Sequence, residues 1–179
     1  MKYVPCLHPA ALARDPTLWG VTVADLVRAR EESKHATHTP EPCNYVVIED
    51  ESACRAALRC MPVGEPVALD IETSGHRVTC IGLCQSPPVV YVVPGELALS
   101  ERSSFRGWAS RQTFLIHNAP FDVPRLEAAG ITLGAWFDTL LLHHSVYSEL
   151  PQTLAFVASV YTRLPYWKGM MRFEKEEEK

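Results

Sequence analysis

The sequence predicts an α/β fold in which a mixed β-sheet is flanked by helices. Three apolar segments follow one another between residues 67 and 93 with only turns between them, which indicates adjacent antiparallel strands. Strand-like and helix-like segments alternate from residue 114 onward, which is typical of α/β proteins. With 179 residues, of which 47% are hydrophobic, the chain is long enough for one domain with its own core and some appended segments.

Composition narrows the class of protein. No apolar run approaches the ~20 residues that a membrane helix needs, and the proline-broken N-terminus lacks a signal-peptide core, so we expect no membrane association and a cytoplasmic location. The six cysteines form no Cys-x-x-Cys pair and predict free thiols, with Cys80 and Cys84 on one strand face in the core. A net charge of −4 disfavours a broad basic surface, but an acidic metal site would also contribute to it.

Local patterns place each element in order. Asp15-Pro16 predicts a helix start within residues 1–30, and the polar, proline-containing residues 31–44 predict a linker. We predict strands over residues 45–48, 67–72, 78–84, 89–93 and 114–116. We predict helices over residues 53–61, 99–109, 121–129, 138–146 and 154–161. The strand over residues 67–72 is apolar up to its acids, as a strand buried on both faces would be.

Acidic side chains follow two of the predicted strands. Asp70 and Glu72 are two residues apart on one strand, so they point to the same face. Asn118 and Asp122 follow the strand over residues 114–116. If these two strands are neighbours, their carboxyl ends lie side by side and the three carboxylates converge. Three carboxylates repel one another unless cations neutralise them, so the pattern predicts two Mg²⁺ or Mn²⁺ ions.

Four segments, taken together, resemble a known family. Residues 68–73 (Ala-Leu-Asp-Ile-Glu-Thr) look like the first motif of the DEDD 3′–5′ exonucleases, and residues 117–122 look like the second, with its Asn-x-x-x-Asp spacing. Residues 137–144 and 154–162 resemble further segments of that family. The similarity covers roughly residues 45–168 and is greatest to ribonuclease D and to the proofreading exonuclease domains of family A DNA polymerases, especially phage ones.

This resemblance implies a ribonuclease H-like fold and hydrolysis of phosphodiester bonds at single-stranded 3′ DNA ends, as in proofreading during DNA replication in a bacterium or a phage-infected cell. It implies that Asp70 bridges two metal ions, that Glu72 binds one and orients the attacking water, and that Asp122 holds the second. Thr73 and Asn118 would contact the terminal nucleotide. Phe121 would pack near its base or in the core. From the residues alone, Asp138 is expected to cap a helix rather than to bind metal.

The chain departs from the family at its third motif, a Tyr or His followed a few residues later by a fourth metal-binding Asp. No such pattern follows residue 150, and no Asp follows Asp138. We therefore interpret the domain as C-terminally truncated and as one piece of a split DNA polymerase, with a polymerase chain supplying the third motif. Glu174 is a less favoured source of the fourth carboxylate. The alternative is an incomplete exonuclease-like module that binds single-stranded nucleic acid, docks a polymerase or serves a replisome structurally.

A second resemblance lies at the N-terminus. Residues 7–16, which contain His8-Pro9, resemble the C-terminal motif of uracil-DNA glycosylases, which would give His8 the role of holding a flipped uracil. The rest of such a domain is absent from the sequence, so we expect no glycosylase activity and a simple turn before a helix at His8. The predicted organisation is a helical segment over residues 1–30, a linker over 31–44, an exonuclease-like domain over 45–168 and a charged tail over 169–179.

Overall fold

A computed structural model describes residue 4, residues 6–37 and residues 42–164 of the chain. The strands in this part of the chain are β1 (Asn44–Val47), β2 (Val67–Ser74), β3 (Arg77–Cys84), β4 (Val89–Pro94), β5 (Thr113–Ile116) and β6 (Ala135–Asp138). The helices there are α1 (Pro9–Arg14), α2 (Trp19–Glu32), α3 (Glu51–Arg59), α4 (Gly95–Leu99), α5 (Ser104–Ala109), α6 (Ala119–Ala128), α7 (Thr139–Val146) and α8 (Leu154–Tyr161).

Contacts divide the chain into two compact units, which are described separately. The sheet unit runs from residue 42 to residue 142 and contains all six strands named above. The helical unit comprises the described residues before 42 and after 142. Among the described residues, no helix combines the length and the apolar character that crossing a bilayer requires.

The sheet has the strand order β1-β4-β3-β2-β5-β6. Strand β3 pairs antiparallel with both β2 and β4, which confirms the predicted three-stranded meander. The outer strands β1, β5 and β6 each pair in parallel with their neighbours, so the sheet is mixed. β2 and β5 are parallel neighbours, as expected, and Ala68 is in register with Leu115. Strand β5 therefore ends beside the middle of β2, just before Asp70, rather than beside the carboxyl end of β2 at Ser74.

Strand β2 is buried on one face only, which corrects the prediction that both faces are covered. Val67, Leu69 and Ile71 are buried in the core, whereas Ala68, Asp70 and Glu72 alternate with them and are exposed. The covering elements explain this asymmetry, because they lie on the other side. Val67 is in register with Phe114, and the Phe114 ring contacts Trp108 of α5 with 5.8 Å between ring centroids. Helix α5 therefore covers the face opposite to the acids.

Three differences from the predicted elements have a clear physical reason. Strand β6 was not predicted, because its residues are exposed up to Asp138 and show no alternating pattern, and the strand forms by pairing with β5. The helix predicted over residues 99–109 begins only at Ser104, as α5, and α4, which ends at Leu99, was not predicted. The extended backbone of Ser100 (φ −56°, ψ 139°) separates the two helices. Helix α6 begins at Ala119, two residues earlier than predicted, because the buried carboxylate of Asp138 receives its first N–H groups.

In the helical unit, α2 packs beside α8. The Arg28 guanidinium donates to carbonyl oxygens at the C-terminal end of α8, including those of Val160 at 3.2 Å and Thr162 at 2.9 Å. A positive charge at this position stabilises the helix, because the C-terminal end of a helix carries partial negative charge. At the start of the unit, the ring Nδ1 of His8 accepts from Ala10 N at 3.1 Å and caps α1, which confirms the expected turn before a helix. The glycosylase resemblance itself stays a prediction.

We predict that Gly95→Ala destabilises the sheet unit. A Cβ at Gly95 would lie 2.2 Å from the carbonyl oxygen of Val78, which is backbone and cannot move aside cheaply. Overpacking of this kind typically costs about 1–3 kcal/mol, so thermal denaturation should show a melting temperature lowered by several degrees. Gly107→Ala is the control, because its Cβ meets nothing within 4 Å inside helix α5 and should leave the melting temperature unchanged or slightly raised.

Candidate functional site

Asp70 and Glu72 lie on the open face of the sheet, opposite small residues of β3. In the antiparallel register Asp70 is paired with Gly82 and Glu72 with Cys80. The register then shifts between Glu72 and Thr73, so that Thr79 is an extra residue on β3. Its hydroxyl donates to the carbonyl oxygen of Glu72 at 2.9 Å. Such bulges bend a strand and redirect side chains, and this one lies next to the acids.

The third acid is positioned by the turn between β5 and α6. Asn118 has a left-handed backbone (φ 65°, ψ 51°), a conformation that asparagine tolerates better than most residues. The carboxylate of Asp138, which is 6% exposed, accepts three backbone N–H groups: Asn118 at 2.9 Å, Ala119 at 3.0 Å and Leu140 at 2.8 Å. This one side chain therefore begins both α6 and α7. The prediction that Asp138 caps a helix is confirmed, and it caps a second one as well.

Asp122 lies one turn into α6 and is 3% exposed. Burial, and then the negative charge of Asp70, raise the pKa of Asp122 to about 7; Arg125 opposes this rise. The negative charges of Asp138 and Glu72 also contribute to this rise in the pKa of Asp122. Asp70 reaches solvent, yet enough protein surrounds its carboxyl group that desolvation, followed by the charge of Glu72, raises its pKa. The three acids are therefore close enough for their charges to interact unfavourably.

The donor set fits a hard divalent cation. Carboxylate oxygens are the ligands that Mg²⁺ and Mn²⁺ prefer, and a cation would relieve the repulsion that raises these pKa values. Within the described residues, however, no three His, Cys, Asp or Glu side chains are arranged closely enough to hold one ion. The electrostatic coupling acts over longer distances than direct ligation does. The carboxylates of the three acids thus interact electrostatically, but they are not close enough together to bind a single ion at once.

The remaining predicted site residues lie near these acids along the chain. Thr73 is half-buried on β2 just after the bulge, and Asn118 precedes α6. Phe121 is 42% exposed, with the guanidinium carbon of Arg125 3.5 Å from its ring centroid. It is therefore available at the surface rather than packed in the core. Glu174 and the stretch after residue 164, where the third motif was sought, lie outside the described residues.

Two further side chains on the acidic face were not assigned to the site from the sequence. Cys80 was expected in the core but is half-buried beside Glu72, and burial and that negative charge raise the pKa of its thiol. The extra residue in β3 hides this pairing, because it breaks the simple two-residue alternation. His117 adds charge that lowers the pKa of Asp70, and its Nδ1 lies 3.0 Å from the hydroxyl oxygen of Thr139. Its position directly before Asn118 was the available signal.

No protein-family model and no curated protein sequence matches the chain. Solved structures do match its fold. Trypanosoma brucei RNase D in complex with GMP has a TM-score of 0.58 at 15% identity, over 75% of this chain and 46% of that one. The catalytic core of Trypanosoma brucei RRP6 has a TM-score of 0.58 at 16% identity, over 70% and 38%. Brucella melitensis NrnC has a TM-score of 0.50 at 17% identity, over 68% and 60%.

These similarities define the class of fold. The mixed six-stranded sheet flanked by helices is a ribonuclease H-like α/β fold, as the sequence predicted. Proteins that share it include RNase D, the RRP6 core and NrnC, and the chain spans less than two thirds of the length of each. At these identities the likeness concerns the fold alone.

The raised pKa of Asp122 predicts a pH-dependent stability. Because its folded pKa of about 7 exceeds the ordinary 3.8, the folded state holds a proton that the unfolded state has lost between these values. Stability is therefore lost as pH rises through this window, at up to about 1.4 kcal/mol per pH unit. Asp122→Asn cannot ionise, so without divalent ions we expect it to melt higher than wild type above about pH 7 and equally near pH 4. Equal melting at both pH values would contradict the raised pKa.

We also predict that Asp138→Asn loosens the β5–α6 turn. An amide group keeps the shape but replaces one acceptor oxygen with a donor, so a buried N–H loses its partner at a cost of about 1–3 kcal/mol. Hydrogen exchange at the amides of Asn118 and Ala119 should accelerate. Asp50→Asn is the control, because Asp50 is an exposed cap with a 2.8 Å bond from Ala53 N, where asparagine serves equally well. Unchanged exchange in Asp138→Asn would show that the carboxylate does not hold the turn.

Proposed function

We propose that this chain carries a metal-dependent 3′–5′ exonuclease domain acting on single-stranded nucleic acid ends, with DNA as the expected substrate. One observation carries the proposal: the pKa of Asp122, which is buried on α6, is raised to about 7. Part of this rise comes from Asp70, which lies on the open face of a ribonuclease H-like sheet. Acids held close enough to repel are a costly arrangement for a structural role and a suitable one for binding cations.

Asp70, Glu72 and Asp122 are the residues that would hold the metal ions, of which we expect two, Mg²⁺ or Mn²⁺. Such ions supply a low-pKa water and neutralise charge on the leaving oxygen of a phosphodiester. The chain's own residues would position the acids and bind the end of the substrate. The backbone bulge after Glu72 and the turn at Asn118 fix the acids, while Thr73, Asn118 and the exposed ring of Phe121 would contact the terminal nucleotide.

The product would be a nucleoside monophosphate. The Trypanosoma brucei RNase D structure of the same fold is a complex with GMP, which belongs to that class of compound. We further propose that the domain works in the cytoplasm with a polymerase chain that supplies a fourth carboxylate, as in proofreading. This part is supported by the resemblance of residues 68–73 and 117–122 to the motifs of proofreading exonucleases.

A second candidate function is a binding module that does not cut. It is favoured by the absence, within the described part of the chain, of three side chains arranged to hold one ion. The two candidates differ in one measurable property, since an active site must take up Mn²⁺ in a manner that depends on Asp70. A binding module should retain single-stranded nucleic acid without this uptake.

The decisive substitution is Asp70→Asn, tested on a 5′-labelled single-stranded DNA and on an RNA of the same sequence, with Mg²⁺ or Mn²⁺. We expect wild type to shorten the strand from its 3′ end and the variant to lose at least about 100-fold in rate, because several kcal/mol of charge stabilisation depend on the ions. Glu101→Gln, which removes an exposed acid in a turn outside the site, should keep full activity.

The outcomes separate the possibilities. Hydrolysis by the chain alone means that no partner carboxylate is needed, whereas hydrolysis only with an added polymerase chain supports completion in trans. A substrate with a blocked 3′ end should resist cutting. If neither hydrolysis nor Asp70-dependent Mn²⁺ uptake occurs under any of these conditions, the exonuclease proposal is wrong.

A further inference from the structure

A cavity of about 250 Å³ lies between helices α3 and α5 of the sheet unit. Its walls combine three arginines with a largely apolar floor, and none of the residues that line it is acidic. The lining residues are Arg55, Leu58, Arg59, Ser104, Trp108 and Arg111. This volume is at the small end of ligand pockets, which typically measure about 300–1,000 Å³. The cavity therefore suits one small ligand or one part of a larger one.

The cavity is separate from the carboxylate site. Trp108 contacts Phe114, which is in register with Val67 on the buried face of the sheet. Asp70 and Glu72 are on the opposite face of the same strand as Val67. A ligand in the cavity therefore lies on the other side of the sheet from the acids.

Positive charge is concentrated around this cavity although the whole chain has a net charge of −4. Arg55 and Arg59 are one helical turn apart on α3, a spacing at which like charges destabilise a helix. Glu51 offsets one of them, through a 3.0 Å contact with Nε of Arg55. Arg111, just after α5, adds a third guanidinium group. The lining arginines thus exceed this carboxylate by two charges.

The geometry of the arginines suits an anion. Arg55 uses Nε for Glu51, and Arg111 uses Nε for the carbonyl oxygen of Gly107 at 3.0 Å. Neither bond uses the terminal nitrogens, which are the atoms that bind phosphate oxygens in pairs. All three arginines are exposed, so an incoming ligand can reach them.

The floor of the cavity is apolar, and the one polar atom of the Trp108 ring has a hydrogen-bond partner. Leu58 is 6% exposed and Trp108 is 7% exposed. The indole Nε1 of Trp108 donates to the carbonyl oxygen of Met61 at 3.2 Å, which leaves hydrocarbon to face the cavity. A ligand that fits both parts has an anionic group and a flat apolar body.

We propose that this cavity is a nucleotide-binding site distinct from the carboxylate site. Arg55, Arg59 and Arg111 bind the phosphate, and Leu58 and Trp108 support the base. The choice of a nucleotide among organic phosphates rests on the proposed function. The nucleotide arrives either free, as a monophosphate, or as one residue of a nucleic-acid strand, and both sources present the same chemistry.

The test measures binding in EDTA, so that no hydrolysis takes place. The probes are thymidine 5′-monophosphate, thymidine, inorganic phosphate and a short thymidine oligonucleotide, titrated calorimetrically against the full chain. The double variant Arg59→Ser/Arg111→Ser removes two exposed side chains, and its melting temperature checks that it folds. Arg14→Ser is the control, because it removes the same kind of charge from an exposed position on α1.

We expect the monophosphate or the oligonucleotide to bind and the double variant to weaken that binding at least about ten-fold, as loss of charge-assisted hydrogen bonds should. Binding of the free monophosphate identifies a free nucleotide as the source, and binding of the oligonucleotide alone identifies a strand. Thymidine without phosphate should not bind, and inorganic phosphate should bind more weakly than the nucleotide.

The proposal is overturned if no probe binds, if the double variant binds as wild type does, or if Arg14→Ser loses as much as the double variant. Equal affinity for inorganic phosphate and nucleotide would also overturn it, because the apolar floor would then contribute nothing. The outcome is independent of the exonuclease test. If wild type never hydrolyses nucleic acid but binding still depends on the two arginines, the exonuclease proposal fails and this site stands.

Discussion

One buried carboxylate fixes the part of the fold on which the candidate site depends. Asp138 ends β6 and accepts the N–H groups of Asn118, Ala119 and Leu140 at 2.8–3.0 Å. Those groups would otherwise be unsatisfied donors at the beginnings of two helices. The same bonds hold Asn118 in its left-handed conformation, and α6 starts from there. The position of Asp122 therefore follows from a side chain that takes no part in the proposed chemistry.

The arrangement of acids that would allow the candidate site to bind a cation also destabilises the fold when no cation is bound. Burying Asp122 beside Asp70 raises its pKa to about 7, so the folded chain carries a strained set of acids near neutral pH. A cation would remove that strain, and the energy of binding it would then also stabilise the fold. The opposite side of the sheet shows the complementary case, since the arginines around the α3–α5 cavity exceed their nearby carboxylate. The acids and the arginine-lined cavity thus lie on opposite sides of the central sheet.

Local sequence was sufficient wherever a pattern was long or its residues distinctive. The meander over β2, β3 and β4 and the shared face of Asp70 and Glu72 were both predicted. Strand β6 was not, because its exposed residues show no alternation and become a strand by pairing with β5. Helix α6 was predicted to start too late, since its first turn is stabilised by Asp138, about twenty residues away in the chain. The pairing of Cys80 with Glu72 was hidden by the bulge at Thr79.

Local pattern was enough to predict the α/β class of the fold and the shared face of Asp70 and Glu72, because side chains alternate along a strand. Three further features depend on the packing of distant parts of the chain. Helix α5 packs on the buried face of β2, and the face that carries the acids is exposed. The ionisation of Asp122 follows from the tertiary structure, because burial and neighbouring charge depend on packing. Packing also brings Arg111 to the arginines of α3, which lie more than fifty residues away in the sequence.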